Sequence, residues 1–358
     1  MTQPPSVGGK GAILAQLAAQ GIHPPGSPQQ IRLEADVARF LGREYRRLAA
    51  SPSDAPIVAD QGPMWSETDA LMADHYDADL RLFAAFLDQR YMAYSMAYYG
   101  ETPEAIRASD ASLEQAQQAK FALVCQRAGI QGHERVLSVG CGFGPLETYL
   151  AETYPNLSVT CVTPSRTQAE HVTACMSDPS HPLGRARLCL IQQDFAALPV
   201  ENLGAESFDF IFVIAAFEHV HNLLAAFTKI AALLHPGGGA FVHVITSQVP
   251  MPRLFDPERS LIGRYFPGGK VWPFDTIARH TAPLELEASW FLNGLNYWRT
   301  LDAWHQRFWE HIPNLHPGML DTKGVKHWNQ YFSLCKACFA PEDGTLYGNG
   351  HFRVRKTG

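Results

Sequence analysis

The sequence predicts a doubly wound, mostly parallel α/β sheet preceded by a helical region, and three observations predict it. Across residues 135–245 short apolar runs of strand length alternate with helical stretches. The first run continues into Arg135-Val-Leu-Ser-Val-Gly-Cys-Gly-Phe-Gly144, a strand that passes straight into three alternate glycines and then a helix. The 358 residues, 46% hydrophobic and 18% charged, suffice to bury a core without disulfide or metal staples.

Residues 1–30 are rich in Gly, Pro, Gln and Ala and read as a flexible N-terminus, with a short helix open to Ala12–Ala19. Residues 31–112 read as an N-terminal helical region. Ile31, Leu33, Val37, Phe40, Leu41 and Tyr45 recur near a 3.6 period over Ile31–Leu48, a second run covers Leu80–Tyr91, and the prolines of Ser51–Pro63 mark the loop between them. The main domain, 113–358, opens with a helix over Leu113–Ala128 behind Ser112 as N-cap. Strands follow at Arg135–Val139, Ser158–Val162, Ala186–Gln192, Phe208–Ile214 and Gly239–Ile245, with helices near Pro145–Tyr154, Thr167–Met176 and Leu223–Leu234. Beyond Pro250 aromatic-rich helical segments mix with Pro/Gly loops, and His351-Phe-Arg-Val-Arg355 reads as a last strand.

Lys+Arg 29 against Asp+Glu 35 gives a net charge of −6, and no basic run could track a phosphate backbone, so nucleic acid is not an expected partner. No apolar stretch reaches the roughly 20 residues of a bilayer span, and no basic n-region with an apolar h-region opens the chain, which reads as cytoplasmic. Seven cysteines, an odd number, read as reduced. Cys335 and Cys338 have half a zinc site's spacing but no second pair, and the flanking aromatics place them on an amphipathic helix, so no metal is expected.

Without Cβ atoms at Gly140, Gly142 and Gly144, the backbone can turn sharply and let a ligand lie against the strand end and the helix N-terminus. The spacing is not Gly-x-Gly-x-x-Gly and no acidic residue ends the next strand, which argues against a dinucleotide. Each later strand also ends in a distinctive segment: Val162-Thr-Pro-Ser-Arg-Thr-Gln168, Gln193-Asp-Phe195 and Ile214-Ala-Ala-Phe-Glu-His-Val220. In that order and spacing they resemble the class I S-adenosylmethionine-dependent methyltransferases, with their Rossmann-like sheet. Tyr94-Ser-Met-Ala-Tyr-Tyr99, Leu113-Glu-Gln-Ala-Gln-Gln-Ala-Lys120, Phe241-Val-His-Val-Ile245, Tyr265-Phe-Pro-Gly-Gly269 and Leu295-Asn-Tyr-Trp-Arg-Thr-Leu-Asp-Ala-Trp304 narrow the resemblance to the cyclopropane fatty acid synthase family, over roughly Arg90–Arg355. That family includes mycolic acid methyltransferases and coclaurine N-methyltransferases.

The resemblance implies S-adenosylmethionine as cofactor. Tyr94 and Ser95 would offer hydroxyls to the methionine carboxylate, Gly140 and Gly142 would make room for the amino acid part, Thr163 with Gln168 would hold the ribose, Asp194 with Phe195 would border the adenine, and Gly144 and Ile214 would also bind the cofactor. It also implies a helical and aromatic lid over the substrate at about 250–335. For the reaction it implies Glu218, His243, the Ile245 carbonyl and Tyr297 around a bicarbonate ion, with His219 either joining them or orienting the loop. Two positions depart from the family: Met96 replaces a Cys and cannot donate to an anion, which speaks against bicarbonate, and Ala215 replaces a common Gly. The first expectation is methyl or methylene transfer to an alkene carbon of an apolar acyl- or isoprenoid-like substrate. The second is N-methylation of a small-molecule amine, with Glu218 and a histidine taking the proton. A non-catalytic cofactor or lipid binder is a third, and self-association into a homo-oligomer is left open. A long apolar cavity facing the methyl group would favour an acyl chain, and a short aromatic box with Glu218 exposed an amine.

Overall fold

The computed structural model describes residues 10–50, 57–65, 76–250, 252–256, 258 and 262–358. Five strands are parallel and lie in the order β3-β2-β1-β4-β5: β1 Arg135–Val139, β2 Ser158–Thr163, β3 Arg187–Gln192, β4 Phe208–Ile214 and β5 Leu234–Ser247. Strands β1 and β4 are buried along most of their length, which is why they read as unbroken apolar runs rather than alternating ones. At the other edge β9, Tyr347–Arg355, runs antiparallel between β5 and β8, Glu285–Asn293. Two short strands, β6 Arg253–Leu254 and β7 Lys270–Pro273, extend from the carboxyl end of β5.

Helices Pro145–Thr153, Arg166–Ser177 and Leu223–Leu233 connect the parallel strands. Helix Leu113–Ala128 starts as expected, with the Ser112 side chain accepting from Gln115 N and Gln115 accepting from Ser112 N, and it ends at Gly129 with φ 76°. Helices Leu295–Glu310 and Thr322–Phe339 pack on each other, and Pro28–Ala50 lies against the second of them. Helix Lys10–Ala19, where a short helix was expected, buries Ile13 and Leu17. Strand order reverses between β1 and β4, so a crevice opens at their carboxyl ends.

Two expected elements differ. The helix read over Leu80–Tyr91 stops at Ala84, because the Asp88 carboxylate accepts from Tyr91 N (2.6 Å) and Ala93 N (2.8 Å), and these bonds turn the chain at Met92, φ 54°. Phe83, Phe86 and Leu87 still bury their side chains, so the apolar periodicity reported burial rather than helix. Within the part beyond Pro250, read as helical segments mixed with loops, Glu285–Asn293 adds the strand β8; a register shift between Leu286 and Ala288 interrupts the alternation that would have shown it. Among the described residues no helix is long and apolar enough to cross a membrane.

Candidate active site

The crevice holds two cavities that share a wall. The first, of about 130 Å³, lies over the glycine turn. Gly140 sits at φ 74°, and a Cβ there would stand 2.7 Å from the Ala216 side chain. Gly142, at φ 58°, faces open space, so any side chain would both strain the backbone and fill the cavity. Gly144 does not line the cavity: at φ 80° it caps helix Pro145–Thr153 and packs beneath Leu183 and Val172.

All the other expected cofactor residues line this cavity: Tyr94, Ser95, Gly140, Gly142, Thr163, Gln168, Asp194, Phe195 and Ile214. Thr163 Oγ1 donates to Gln168 Oε1 at 2.7 Å, which leaves the Gln168 amide NH₂ for a ligand hydroxyl. Asp194 accepts from Trp65 Nε1 at 2.9 Å, and Trp65 and Phe195 stand with ring centroids 5.8 Å apart. Ser95 Oγ accepts from Lys120 Nζ at 2.8 Å. Burial of that ammonium pushes its pKa down to about 7.

Glu147, in the first turn of its helix, also lines the first cavity and was not expected there. The residue is 1% exposed and neither carboxyl oxygen has a hydrogen-bond partner. Burial raises its pKa to about 7, against a smaller lowering from the nearby Ser138 hydroxyl. An unpaired buried carboxylate in a cleft is costly unless a cation arrives.

The second cavity, of about 430 Å³, shares Tyr76, Tyr94, Ala215 and His219 with the first. Its walls are largely apolar and aromatic, with Val37, Phe40 and Leu41 from helix Pro28–Ala50 and Phe266, Leu301 and Leu334 opposite. Ala215, at φ 53°, holds the shared wall in a conformation that favours glycine. Glu218 follows in a single 3₁₀ turn, Phe217–His219. Its Oε1 accepts from Ile245 N at 2.8 Å, while Oε2 is buried without a partner. Burial raises this carboxyl to about 7 as well. Tyr297 lines the same cavity, stacked on Phe339 at 4.5 Å, and the nearby Glu218 charge helps burial push its phenol upward. His219 Nε2 pairs with Tyr76 OH at 3.1 Å, and burial lowers the imidazole to about 4, so it is neutral at neutral pH.

The structure does not bring His243 to the site. It lies on β5, fully buried, lining neither cavity, and shares a 2.7 Å hydrogen bond with His351 on β9. One tautomer set satisfies the chain. Arg127 Nη1 donates to His351 Nδ1 (2.9 Å), His351 Nε2–H donates to His243 Nδ1, and His243 Nε2–H meets the Asn349 amide, whose nitrogen is placed 3.0 Å away and which accepts once it is turned over to present Oδ1, the oxygen that otherwise lacks a partner. Burial depresses both histidines, so the pair is neutral. Met96 is likewise fully buried and lines neither cavity.

The first cavity fits S-adenosylmethionine: an unpartnered carboxylate for an ammonium, hydroxyls and an amide for a ribose, and aromatic rings for an adenine. Both ring nitrogens of His243 are engaged, and buried Met96 offers no donor, so neither side chain is free to hold a bicarbonate ion. Among the described residues no group of three His, Cys, Asp or Glu could hold a metal ion.

A family model described as mycolic acid cyclopropane synthetase matches residues 66–347. The chain is 29% identical over 277 residues to the cyclopropane-fatty-acyl-phospholipid synthase of Escherichia coli (strain K12), covering 76% of this chain and 65%, less than two thirds, of that one. The coclaurine N-methyltransferase structure bound to N-methylheliamine and SAH superposes with a TM-score of 0.72 at 21% identity, covering 97% of this chain and 94% of that one. A mycolic acid cyclopropane synthase complexed with SAH and CTAB superposes with a TM-score of 0.63 at 24% identity, covering 80% and 98%. The sheet described above thus has the fold of these two structures, as expected.

Proposed function

The chain belongs to the mycolic acid cyclopropane synthetase family, and from that membership we propose that it is an S-adenosylmethionine-dependent methyltransferase acting on an alkene carbon of an apolar, acyl-like substrate. The observation that carries the reading is the meeting of the two cavities at Tyr94, Ala215 and His219, one bearing the glycine turn, the hydroxyls, the Gln168 amide and the unpartnered Glu147 carboxyl, the other larger and apolar with a free carboxyl oxygen in its wall. The lengths of helices Pro28–Ala50, Leu295–Glu310 and Thr322–Phe339 that line the second cavity, with the segment from about 250, act as the lid.

When bound, S-adenosylmethionine supplies an electrophilic methyl group on a sulfonium sulfur. Glu147 holds the α-ammonium, and Ser95, braced by Lys120, donates to the carboxylate beside Tyr94. Thr163 and Gln168 hold the ribose, and Phe195, Asp194 and Trp65 border the adenine, with Ile214 beneath. Gly140 and Gly142 let the backbone approach. On the acceptor side the apolar walls exclude water and align the chain with the shared wall. Glu218 Oε2 takes the proton that leaves when the new C–C bond forms, and the Ile245 N–H keeps Oε1 fixed while it does so. A carboxyl near 7 is poised to accept a proton at neutral pH. Tyr297 and the neutral His219–Tyr76 pair complete the wall without adding a competing charge.

The test offers the protein S-adenosylmethionine with a cis-unsaturated acyl compound and, separately, with a secondary amine of the benzylisoquinoline type, and weighs the products by mass spectrometry. The acyl compound should gain the mass of one methylene. Transfer to the amine alone would replace the alkene reading with N-methylation at the same site.

A further inference from the structure

Among the described residues the second cavity has a single cationic side chain in its wall. Arg253, on β6, is half-buried there, and among the described residues it forms no ion pair with a carboxylate. Its guanidinium stands 5.5 Å from the Tyr45 ring centroid, and Tyr45 stacks on Tyr347 at 4.5 Å. The Tyr347 hydroxyl is buried within reach of the guanidinium and of the Ser247 hydroxyl, but no hydrogen bond of normal geometry engages it. A guanidinium against aromatic rings is partly compensated, but its forked N–H groups still seek an acceptor, as does the phenol. Glu218 is not that acceptor, because no ion pair joins its carboxyl to the guanidinium and neither group perturbs the other. Phe40, 54% exposed, also lines the cavity, so the helix that carries Tyr45 places this wall where the cavity reaches solvent.

We propose that Arg253 and the Tyr347 hydroxyl form a subsite for a carboxylate head group, so that the substrate is a single-chain unsaturated carboxylic acid whose tail runs from Arg253 past the apolar walls to Glu218. The inference rests on the methyl-transfer reading and makes it more specific. A planar carboxylate matches the guanidinium fork, and the phenol supplies a further donor. The chain enters tail first, since the head group stays where the wall meets water.

The test separates binding from chemistry by using a saturated long-chain carboxylic acid, which has no alkene to react, beside its methyl ester. Displacement of a fluorescent fatty acid gives both affinities in the unmodified protein, in Arg253→Gln and in Tyr347→Phe. The acid should bind at least about tenfold tighter than the ester in the unmodified protein, and Arg253→Gln should abolish that preference. Tyr347→Phe, which removes only the hydroxyl, should reduce it. SAH affinity, measured alongside, should be unchanged in both variants, which shows the fold and the cofactor cavity to be intact. Equal binding of acid and ester, an acid preference that survives Arg253→Gln, or a greater Arg253 dependence for a long-chain phosphate monoester would overturn the carboxylate assignment. Methyl transfer to an unsaturated methyl ester, assayed separately, reports on the alkene reading alone.

Discussion

Replacing Glu147 with Gln keeps the shape of the side chain and removes the charge that the first cavity offers a cofactor ammonium. A charge-assisted hydrogen bond in such a place is worth about 1.5–3 kcal/mol, so SAH affinity should fall roughly 10- to 150-fold in calorimetry. Methylthioadenosine, which lacks the amino acid part, should bind equally well to both proteins. The pH dependence has a definite sign. Below about 7 the buried carboxyl of the free protein is neutral, so SAH affinity should decline as pH falls through 7, and Glu147→Gln should lose that slope. The cofactor-free protein should respond in the opposite sense. Because the folded pKa lies above the ordinary 4.5, the folded state holds the proton more tightly, and stability is lost as pH rises from 4.5 to about 7. That difference corresponds to at most about 3 kcal/mol, which the neutral Gln does not lose, so the variant should melt a few degrees higher at pH 8. A variant that binds SAH as tightly as the parent, or that weakens methylthioadenosine to the same extent, would refute the assignment of Glu147 to the ammonium.

Glu218→Gln should lower kcat by about 10²-fold or more with SAH affinity unchanged, and should remove a rising limb near pH 7 from the rate profile; a variant of full activity would take Glu218 out of the mechanism. Gly142→Val should abolish SAH binding, since it forces a β-branched residue to φ 58° inside the cavity, and calorimetry showing unchanged affinity would contradict the placement. His243→Gln should lower the melting temperature by breaking the His351–Asn349 chain while leaving kcat within about tenfold, whereas a loss as large as that of Glu218→Gln would return His243 to the reaction. Stripping dissolved bicarbonate from the assay should change the rate little; a strong dependence would mean that the Met96 substitution is tolerated.

The parallel strands were legible because strands covered on both faces read as plain apolar runs, and the cavity over the glycine turn followed from where those runs end. Glu147 was not legible: an acidic residue in the first turn of a helix ordinarily serves the helix dipole, and only the packing around Ser138 turns it inward. That His243 is engaged away from both cavities was not legible, because its partners Asn349 and His351 lie more than a hundred positions later on a strand whose register no local pattern reveals. Arg253 escaped for a similar reason. Its neighbours Tyr45 and Tyr347 come from opposite ends of the chain, and a two-residue strand gives no periodicity to read.

The central claim is that a cofactor in the glycine-turn cavity meets an acyl chain in the apolar one across the wall at Ala215 and His219. A crystal structure of the protein with SAH and a saturated long-chain acid tests it most directly. The SAH ammonium should lie on Glu147, its adenine beside Phe195, and the acid should run from Arg253 past Tyr297 with its middle carbons next to Glu218. A chain bound outside the second cavity, or an SAH whose sulfur faces away from the shared wall, would contradict it.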